Sequence, residues 1–471
     1  MDELKICTMP ALEMRDAIKA KKLSPVEVME AVLRRIDRLN PKINAYCTVV
    51  HESAITGAKQ AEEMVMKGAE LGPLHGVPVS IKDLMFTRGI RTVGGTKTYE
   101  DFIPEQDAIC VERLKSAGAI IVGKTNTPQS GWVAITDNLV FGPTRNPWNL
   151  ERTSGGSSGG AASAMSACMA PLAVGSDGGG SIRIPSNFCG VFGYKPSYGR
   201  VPAGPGFPGL WEGLSVTGPI TRTVRDAALM MDVIAGRDDR DHHSLPDTTL
   251  EFLSALGGDL KGMRIAWSPD LGYAVVDPQV LKITEAAVSV FETLGCDVEV
   301  ATPDVDSPQT AFSTQTAASI AASLYDKLPE WGDKFEPALT RFIEQSTSIT
   351  AVEYIKARMQ QLEYWDGIRH FFERYDFLLT PVTAVPAFEI GIYAPREIAG
   401  QKVSPLGWMP FTYPFNVTGQ PAASVPCGWT DDGLPVGLQI VGRRFDDASV
   451  LKAAAAFEAA APWADKLPLL E

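Results

Sequence analysis

The stretch GGSSGGAASAMSACMAPLAVGSDGGGSIRIP spans residues 155–185 and contains two glycine clusters. The first cluster is residues 155–160 and the second is residues 178–181. Each also carries serine, at Ser157 and Ser158 in the first and at Ser181 in the second. Glycine destabilises the interior of helices and strands, so two such clusters need a reason. The N–H groups of a glycine loop can approach an anion, or an oxygen that becomes negatively charged during a reaction. The clusters therefore indicate a phosphate-binding loop, an active site or ordinary turns.

Serine and lysine together can carry out acyl transfer without histidine. Lys82 ends the apolar segment VPVSIK (77–82), so its stem is predicted to be buried. Burial disfavours the charged ammonium and lowers the pKa of lysine from its usual value of about 10.4, which makes it a usable base. The residues alone leave the three alternatives open. Neither cluster fits the phosphate-loop pattern G-x-x-x-x-G-K-[ST], and neither fits a strand followed by GxGxxG.

The composition is that of a globular protein, with 45% hydrophobic and 21% charged residues among 471. A net charge of −13 argues against nucleic acid or an anionic membrane as the main partner. The N-terminal residues predict no signal peptide, and no apolar run of about 18 residues is present, so no membrane span is predicted.

Cysteine and histidine usage predicts no metal or disulfide chemistry. The seven cysteines are scattered and form no CxxC pair, which favours a reducing compartment, taken here as the cytoplasm. The five histidines show no metal-binding spacing such as HExxH, so no metal site is predicted.

Apolar strands and amphipathic helices alternate along the chain and predict an α/β fold. Strands are predicted at 77–81 and 119–126, with a strand followed by a glycine turn at 90–96 and two more strands at 421–428 and 434–442. Ser24, Pro25 and Glu27 predict a capped helix start.

The interlocking signals predict one domain over 1–471. Within it, N-terminal helices occupy 1–70, a catalytic core 71–235, a partly separate helical and substrate region 240–375, and C-terminal strands that complete the core 376–471.

The two clusters resemble the amidase signature family, in which a GGSSGG block is followed by a GGSIR block. The lysine of that family lies in a GVPVSxKD segment, which residues 76–83 match. GKTNTPQS (123–130), FGPTRNPWN (141–149) and FNVTGQPAASVPCG (415–428) are also similar to family segments. The resemblance covers nearly the whole chain and is weakest over about 300–400.

The resemblance implies a mixed central β-sheet covered by helices on both sides, and a role for each matched residue. Lys82 would be the general base and Ser157 the bridging serine, preceded by a cis peptide bond after Gly156. Ser181 would be the acyl-accepting nucleophile, and Ser158 a bystander. The oxyanion hole would consist of the N–H groups of Gly178, Gly179, Gly180 and Ser181.

Supporting roles follow by the same matching. Asp177 and Arg183 would brace the loop, and the carbonyl of Gly131 would line the site. His75 and Cys189 are interpreted as structural residues. Pocket residues are expected from 85–90, 129–136, 204–215 and 300–410. Aromatic and apolar residues there indicate an apolar substrate group: Phe207 and Trp211 above all, with Trp408, Met409, Phe411 and Tyr413.

The family's activity implies hydrolysis of small carboxylic amides, with esters, aryl amides and carbamates as further substrates. The predicted reaction needs no cofactor, and the oligomeric state is left open, with a homodimer as one expectation. One alternative is the glutaminase subunit of a tRNA-dependent amidotransferase, which carries a DTGGSIRQP-like run where this chain has DGGGSIRIP (177–185). The segment GPGFPGLWEGLSVTGPI (204–220) also departs from that family. A second alternative is a non-catalytic binding protein, which the three filled triad positions disfavour.

Overall fold

The computed structural model describes residues 2–207, 210–246 and 251–470. Its strands are β1 Tyr46–Val49, β2 Pro78–Lys82, β3 Ile120–Thr125, β4 Arg145–Asn146, β5 Asn149–Thr153, β6 Leu172–Asp177, β7 Phe192–Lys195, β8 Val216–Thr221, β9 Arg264–Trp267, β10 Asp297–Val300, β11 Phe377–Pro381, β12 Glu397–Ile398, β13 Gln401–Lys402, β14 Ala422–Trp429 and β15 Pro435–Gly442.

The helices are α1 Glu3–Cys7, α2 Ala11–Lys19, α3 Pro25–Ile43, α4 His51–Lys67, α5 Ile109–Ser116, α6 Gly159–Ser166, α7 Arg183–Cys189, α8 Val224–Ile234, α9 Pro278–Thr293, α10 Gln309–Leu324, α11 Leu328–Trp331, α12 Pro337–Ser346, α13 Ala351–Phe371, α14 Pro414–Val417 and α15 Asp447–Ala460. The predicted capping box is present at the start of α3, where Ser24 accepts the N–H of Glu27. No helix among the described residues is long and apolar enough to cross a membrane.

Eleven strands form one mixed sheet in the order β1-β3-β2-β6-β8-β7-β14-β15-β11-β9-β10. β2 runs parallel to both β3 and β6, whereas β14 and β15 are antiparallel. Helices cover both faces of the sheet. Alternate residues of a strand point to opposite faces, so two residues of β15 can show which helix lies on each face. In β15, Gly437 faces Asn187 of α7 and Gly442 faces Val450 of α15. The predicted α/β fold with a mixed, helix-covered sheet is confirmed.

The pairing of β2 with β6 positions the clusters. Carboxyl ends of parallel strands meet at one edge of a sheet, where α/β proteins place ligand sites. Ile81 pairs with Val174, so Lys82 lies level with the last residues of β6. The first cluster precedes α6 and the second connects β6 to α7, so both clusters lie at this edge.

The glycine turn predicted within 90–96 is present, but the strand predicted before it is wrong, because residues 90–93 form no strand. Gly94 and Gly95 have φ of +63° and +66°, the left-handed region that interrupts a strand. The N–H groups of Val93 and Gly94 both bind the buried Asp83 carboxylate, at 3.0 and 2.9 Å. These N–H groups therefore bind a side-chain carboxylate, where those of a strand would bind the carbonyls of a neighbouring strand.

Candidate active site

The end of β2 places the Lys82 amine beneath the first glycine cluster. Its side chain is fully buried. Nζ lies within hydrogen-bond distance of three hydroxyls, at 2.7 Å from Ser157 Oγ, 2.8 Å from Ser158 Oγ and 3.0 Å from Ser176 Oγ. Ser176 was not predicted, and nothing in the sequence marked it, because β6 presents it only through its register with β2.

Burial lowers the pKa of Lys82 to about 7, although the negative charge of Asp177 acts in the opposite direction. A lysine with a pKa near neutrality is present in both protonation states at physiological pH. Such a group can accept and return a proton.

Ser157 and Ser158 face different surroundings. The peptide bond between Gly156 and Ser157 is cis. Ser157 lines a cavity that Ser181 also lines, whereas Ser158 is fully buried and donates to the carbonyl of Ser176 at 3.1 Å. Gly131 lies beside Ser157, since a Cβ built on it would be 3.3 Å from Ser157 Oγ. The geometry thus separates a serine in the cavity from a serine in the core.

The second cluster folds around the Asp177 carboxylate. That carboxylate accepts the N–H of Gly180 at 2.7 Å and of Ile182 at 3.1 Å. Four N–H donors were predicted for an oxyanion hole, and the structure corrects this number because Gly180 is already engaged. The N–H groups of Gly178, Gly179 and Ser181 have no acceptor within the described part of the chain.

Asp177 and Arg183 form a fully buried ion pair at 2.9 Å. Burial would raise the pKa of Asp177, but the Arg183 charge and its hydrogen bonds outweigh burial and hold that pKa well below its usual range. Arg183 also donates to the Thr412 carbonyl at 2.8 Å and to side-chain oxygens of Gln439 and Asn416 at 2.9 and 2.6 Å. Asn416 lies in the family-like segment 415–428, which is the one signal that pointed to it.

A cavity of about 290 Å³ opens above the two clusters. Both predicted substrate-binding aromatics, Phe207 and Trp211, line it. The more buried part of the lining also includes apolar side chains, namely Leu84, Met85, Cys110, Val201 and Leu210. The more exposed part is polar and includes Tyr198, Glu212, Asp241, His242 and His243.

The source of the remaining wall was predicted wrongly. No described residue of 300–410 lines the cavity, whereas 198–206 and 241–243 do. Trp408 is buried and stacks on Phe188, with ring centroids 6.0 Å apart. Met409, Phe411 and Tyr413 are likewise core residues. Within the predicted segment 204–215, Pro208 and Gly209 lie outside the described residues.

His75 and Cys189 lie apart from the cavity lining. The His75 Nε2 atom is 3.0 Å from the Ala61 carbonyl in the core. Cys189 is fully buried, and burial raises the pKa of its thiol to about 12. Both therefore have the packing surroundings that were predicted for structural residues.

Comparison with known proteins gives consistent relatives. The model of the amidase family matches residues 27–451. The chain is 41% identical to an acylamidase of Rhodococcus erythropolis, over 99% of this chain and 98% of that protein. It is 39% identical to one of the subunits of the glutamyl-tRNA(Gln) amidotransferase of Carboxydothermus hydrogenoformans, over 95% and 96% of the two chains.

Solved structures are similar over almost the full length. A bacterial aryl acylamidase of the amidase signature enzymes superposes with a TM-score of 0.91 at 34% identity, covering 98% of this chain and 97% of that one. A 6-aminohexanoate cyclic dimer hydrolase, solved with its substrate, gives 0.90 at 30% identity, covering 98% and 99%.

Removing Arg183 tests the brace of the second cluster. Arg183→Ala leaves the Asp177 carboxylate buried without its cation, so we expect the free energy of unfolding to fall by about 3–5 kcal/mol. Arg183→Lys should recover only part of this loss, because one ammonium cannot reproduce a two-pronged contact. Urea denaturation measures both.

The matched control is Lys67→Ala, which breaks an exposed pair with Glu63. It should change the free energy of unfolding by no more than about 0.5 kcal/mol. If Arg183→Ala cost no more than this control, the ion pair would not be the brace.

Proposed function

The chain belongs to the amidase signature family and is an amide hydrolase, and we propose that it acts through Lys82, Ser157 and Ser181 with an acyl-enzyme intermediate. The observation that carries the proposal is the 2.7 Å contact between Lys82 Nζ and Ser157 Oγ at the floor of a cavity that Ser181 also lines. A buried lysine whose pKa is about 7 is a suitable base for a serine relay.

The first half-reaction acylates Ser181. Its Oγ attacks the amide carbon, its proton moves to Ser157 Oγ, and the Ser157 proton moves to the neutral Lys82 amine. The carbonyl oxygen becomes an oxyanion that the free N–H groups of Gly178, Gly179 and Ser181 can bind. Each such donor contributes on the order of 10²–10³ in rate.

Collapse of the oxyanion expels the amine, which receives the proton from Lys82 through Ser157. Water then attacks the acyl-enzyme, and its proton follows the same path to Lys82 before returning to Ser181. Esters, aryl amides and carbamates fit this scheme, because their leaving groups depend less on protonation.

Small amides with an apolar or aromatic group are the proposed substrates. A cavity of about 290 Å³ is of the size that encloses a small molecule. Phe207 and Trp211 offer aromatic contact area in its wall. The likeness to an acylamidase and to an aryl acylamidase supports this substrate class.

The glutaminase component of an amidotransferase is the second candidate, favoured by the 39% identity to an amidotransferase chain. The α-carboxylate of glutamine calls for a cationic partner. The described lining of the cavity contains no lysine or arginine, and carries Glu212 and Asp241 instead. In the DTGGSIRQP-like run of those proteins, threonine stands at the position of Gly178. A Cβ there would be 2.8 Å from the Trp211 ring. The lack of lysine and arginine in the described lining and the lack of space for a side chain at Gly178 both favour a stand-alone hydrolase.

Covalent labelling tests the nucleophile. A fluorophosphonate probe should add to Ser181, as located by mass spectrometry, and abolish hydrolysis of 4-nitroacetanilide. Ser181→Ala should lose both labelling and about 10⁴-fold or more of the activity, since loss of the nucleophile in other serine hydrolases costs up to about 10⁶.

Ser289→Ala is the matched control, because that serine is exposed on α9, away from the cavity, and its hydroxyl donates to the Ala286 carbonyl. It should react like the unaltered protein. A folded protein that takes no label at Ser181 would instead be the non-catalytic binding protein.

The pH dependence tests the base. The protonated ammonium cannot accept a proton, so kcat/KM for 4-nitroacetanilide should rise as pH increases through about 7 and then level off. Lys82→Ala should abolish amide turnover at every pH but leave some turnover of 4-nitrophenyl acetate at high pH, because phenolate leaves without a proton. A profile that is flat from pH 5.5 to 9, or equal loss on both substrates, would contradict Lys82 as the base.

The substrate preference separates the two candidate functions. We expect the purified chain alone to release 4-nitroaniline from 4-nitroacetanilide, and to release no ammonia from L-glutamine above the background of Ser181→Ala. Glutamine hydrolysis that exceeds anilide hydrolysis, with co-purification of partner chains, would reverse the choice.

A further inference from the structure

Three metal-ligating side chains meet at the solvent end of the cavity. Glu212, His242 and His243 each offer a ligand atom, and these atoms all lie within 4.8 Å of one another. We propose that this cluster binds a transition-metal ion of the Zn²⁺ type, and that the bound ion obstructs substrate access. The histidine spacing in the sequence predicted no metal site, because Glu212 joins the pair only in the folded chain.

The position of the Glu212, His242 and His243 cluster within the cavity follows from the solvent exposure of these side chains. Glu212 and His242 are exposed and His243 is half-buried, whereas Ser157 and Ser181 at the other end of the same cavity are buried. A substrate that reaches Ser181 from solvent passes this end. The cluster therefore lies at the mouth.

The ligand set and spacing suit zinc. Zn²⁺ binds imidazole nitrogen and carboxylate oxygen at about 2.0–2.2 Å, so neighbouring ligands of a tetrahedral site lie about 3.3 Å apart. His243 Nε2 and Glu212 Oε1 are already 3.2 Å apart. The rings of His242 and His243 have centroids 3.7 Å apart, and the exposed His242 can rotate to bring a nitrogen into range. Three protein ligands leave the fourth position to water.

Hydrogen bonds hold the turn that carries the histidines. Asp241 accepts the N–H of Ala203 at 2.8 Å and of His243 at 2.9 Å. The N–H of Leu245 donates to the Gly199 carbonyl at 2.9 Å. The turn is thus fixed to 199–203, a segment of the cavity wall, and less conformational freedom is lost when an ion binds.

The charge of the mouth also favours a cation. Glu212 and Asp241 are both acidic, and the Arg358 guanidinium, which lies close to Gly213, donates to Gln315 Oε1 at 3.0 Å. The chain as a whole carries a net charge of −13.

An ion at the mouth should compete with substrate. The hydrated ion would occupy the exposed end of a cavity of only about 290 Å³, so apparent KM rises with Zn²⁺ while kcat is preserved. This inhibition rests on the proposed function, whereas binding of the ion does not, so the two are measured separately.

The binding experiment uses the full chain after dialysis against a chelator. Calorimetric titration with Zn²⁺ should show one equivalent per chain, and Co²⁺ should give the visible absorption of a four-coordinate site. His243→Ala and Glu212→Gln should each weaken Zn²⁺ binding at least about tenfold. His51→Ala is the matched control, since that exposed histidine pairs with Asp37 outside the cavity, at 2.8 Å.

No saturable binding up to about 1 mM Zn²⁺ would overturn the site, as would equal affinity in His243→Ala and His51→Ala proteins that are folded by circular dichroism. Inhibition is scored against each variant's own rate without metal. Zn²⁺ should inhibit the unaltered chain and the His51→Ala control alike, and much less the two cluster variants. Unchanged inhibition in both cluster variants would overturn the obstruction.

Discussion

The buried Lys82 amine is the constraint on which the rest of the site depends. An ammonium is costly to bury, so the group stays poised only if nearby hydroxyls satisfy its hydrogen bonds and no free carboxylate holds its proton. Three serine hydroxyls meet the first condition. Arg183 contributes to the second, because it pairs with the Asp177 carboxylate, whose negative charge raises the pKa of Lys82 against the effect of burial. The ion pair therefore serves both the loop and the base.

This arrangement draws on both ends of the chain. β2 and β6 bring Lys82 level with the second cluster, but the partners of Arg183 are Thr412, Asn416 and Gln439, more than 200 residues further on. Thr412 also binds the Gly179 carbonyl at 2.8 Å. The glycine loop is consequently held by residues from the C-terminal part of the chain.

Local patterns in the sequence predicted what local chemistry determines. Lys82, Ser157 and Ser181 lie in short motifs, and the α/β alternation is visible in hydrophobic periodicity. The errors arise where the backbone conformation is set by side-chain contacts that no motif or periodicity records. Residues 90–96 were predicted as a strand and a glycine turn, but only the turn is present, and the Asp83 carboxylate binds the N–H groups of Val93 and Gly94 there. Gly180 was predicted as an oxyanion donor, and its engagement by Asp177 is a matter of loop conformation. The cavity wall from 198–206 and 241–243 has no periodic signal.

Gly178 links catalysis to the shape of the cavity. It lacks a Cβ, and the Trp211 ring occupies the space where one would be. Trp211 stacks on Phe312 and Phe312 on Tyr413, with centroids 6.1 and 4.9 Å apart. The predicted aromatics of the C-terminal region thus support the wall from behind rather than lining it. A side chain at position 178 would displace this stack and reshape the cavity beside the N–H groups of Gly178, Gly179 and Ser181. Glycine at 178 and tryptophan at 211 therefore form one structural unit, and a relative with threonine in this place must build its substrate pocket differently.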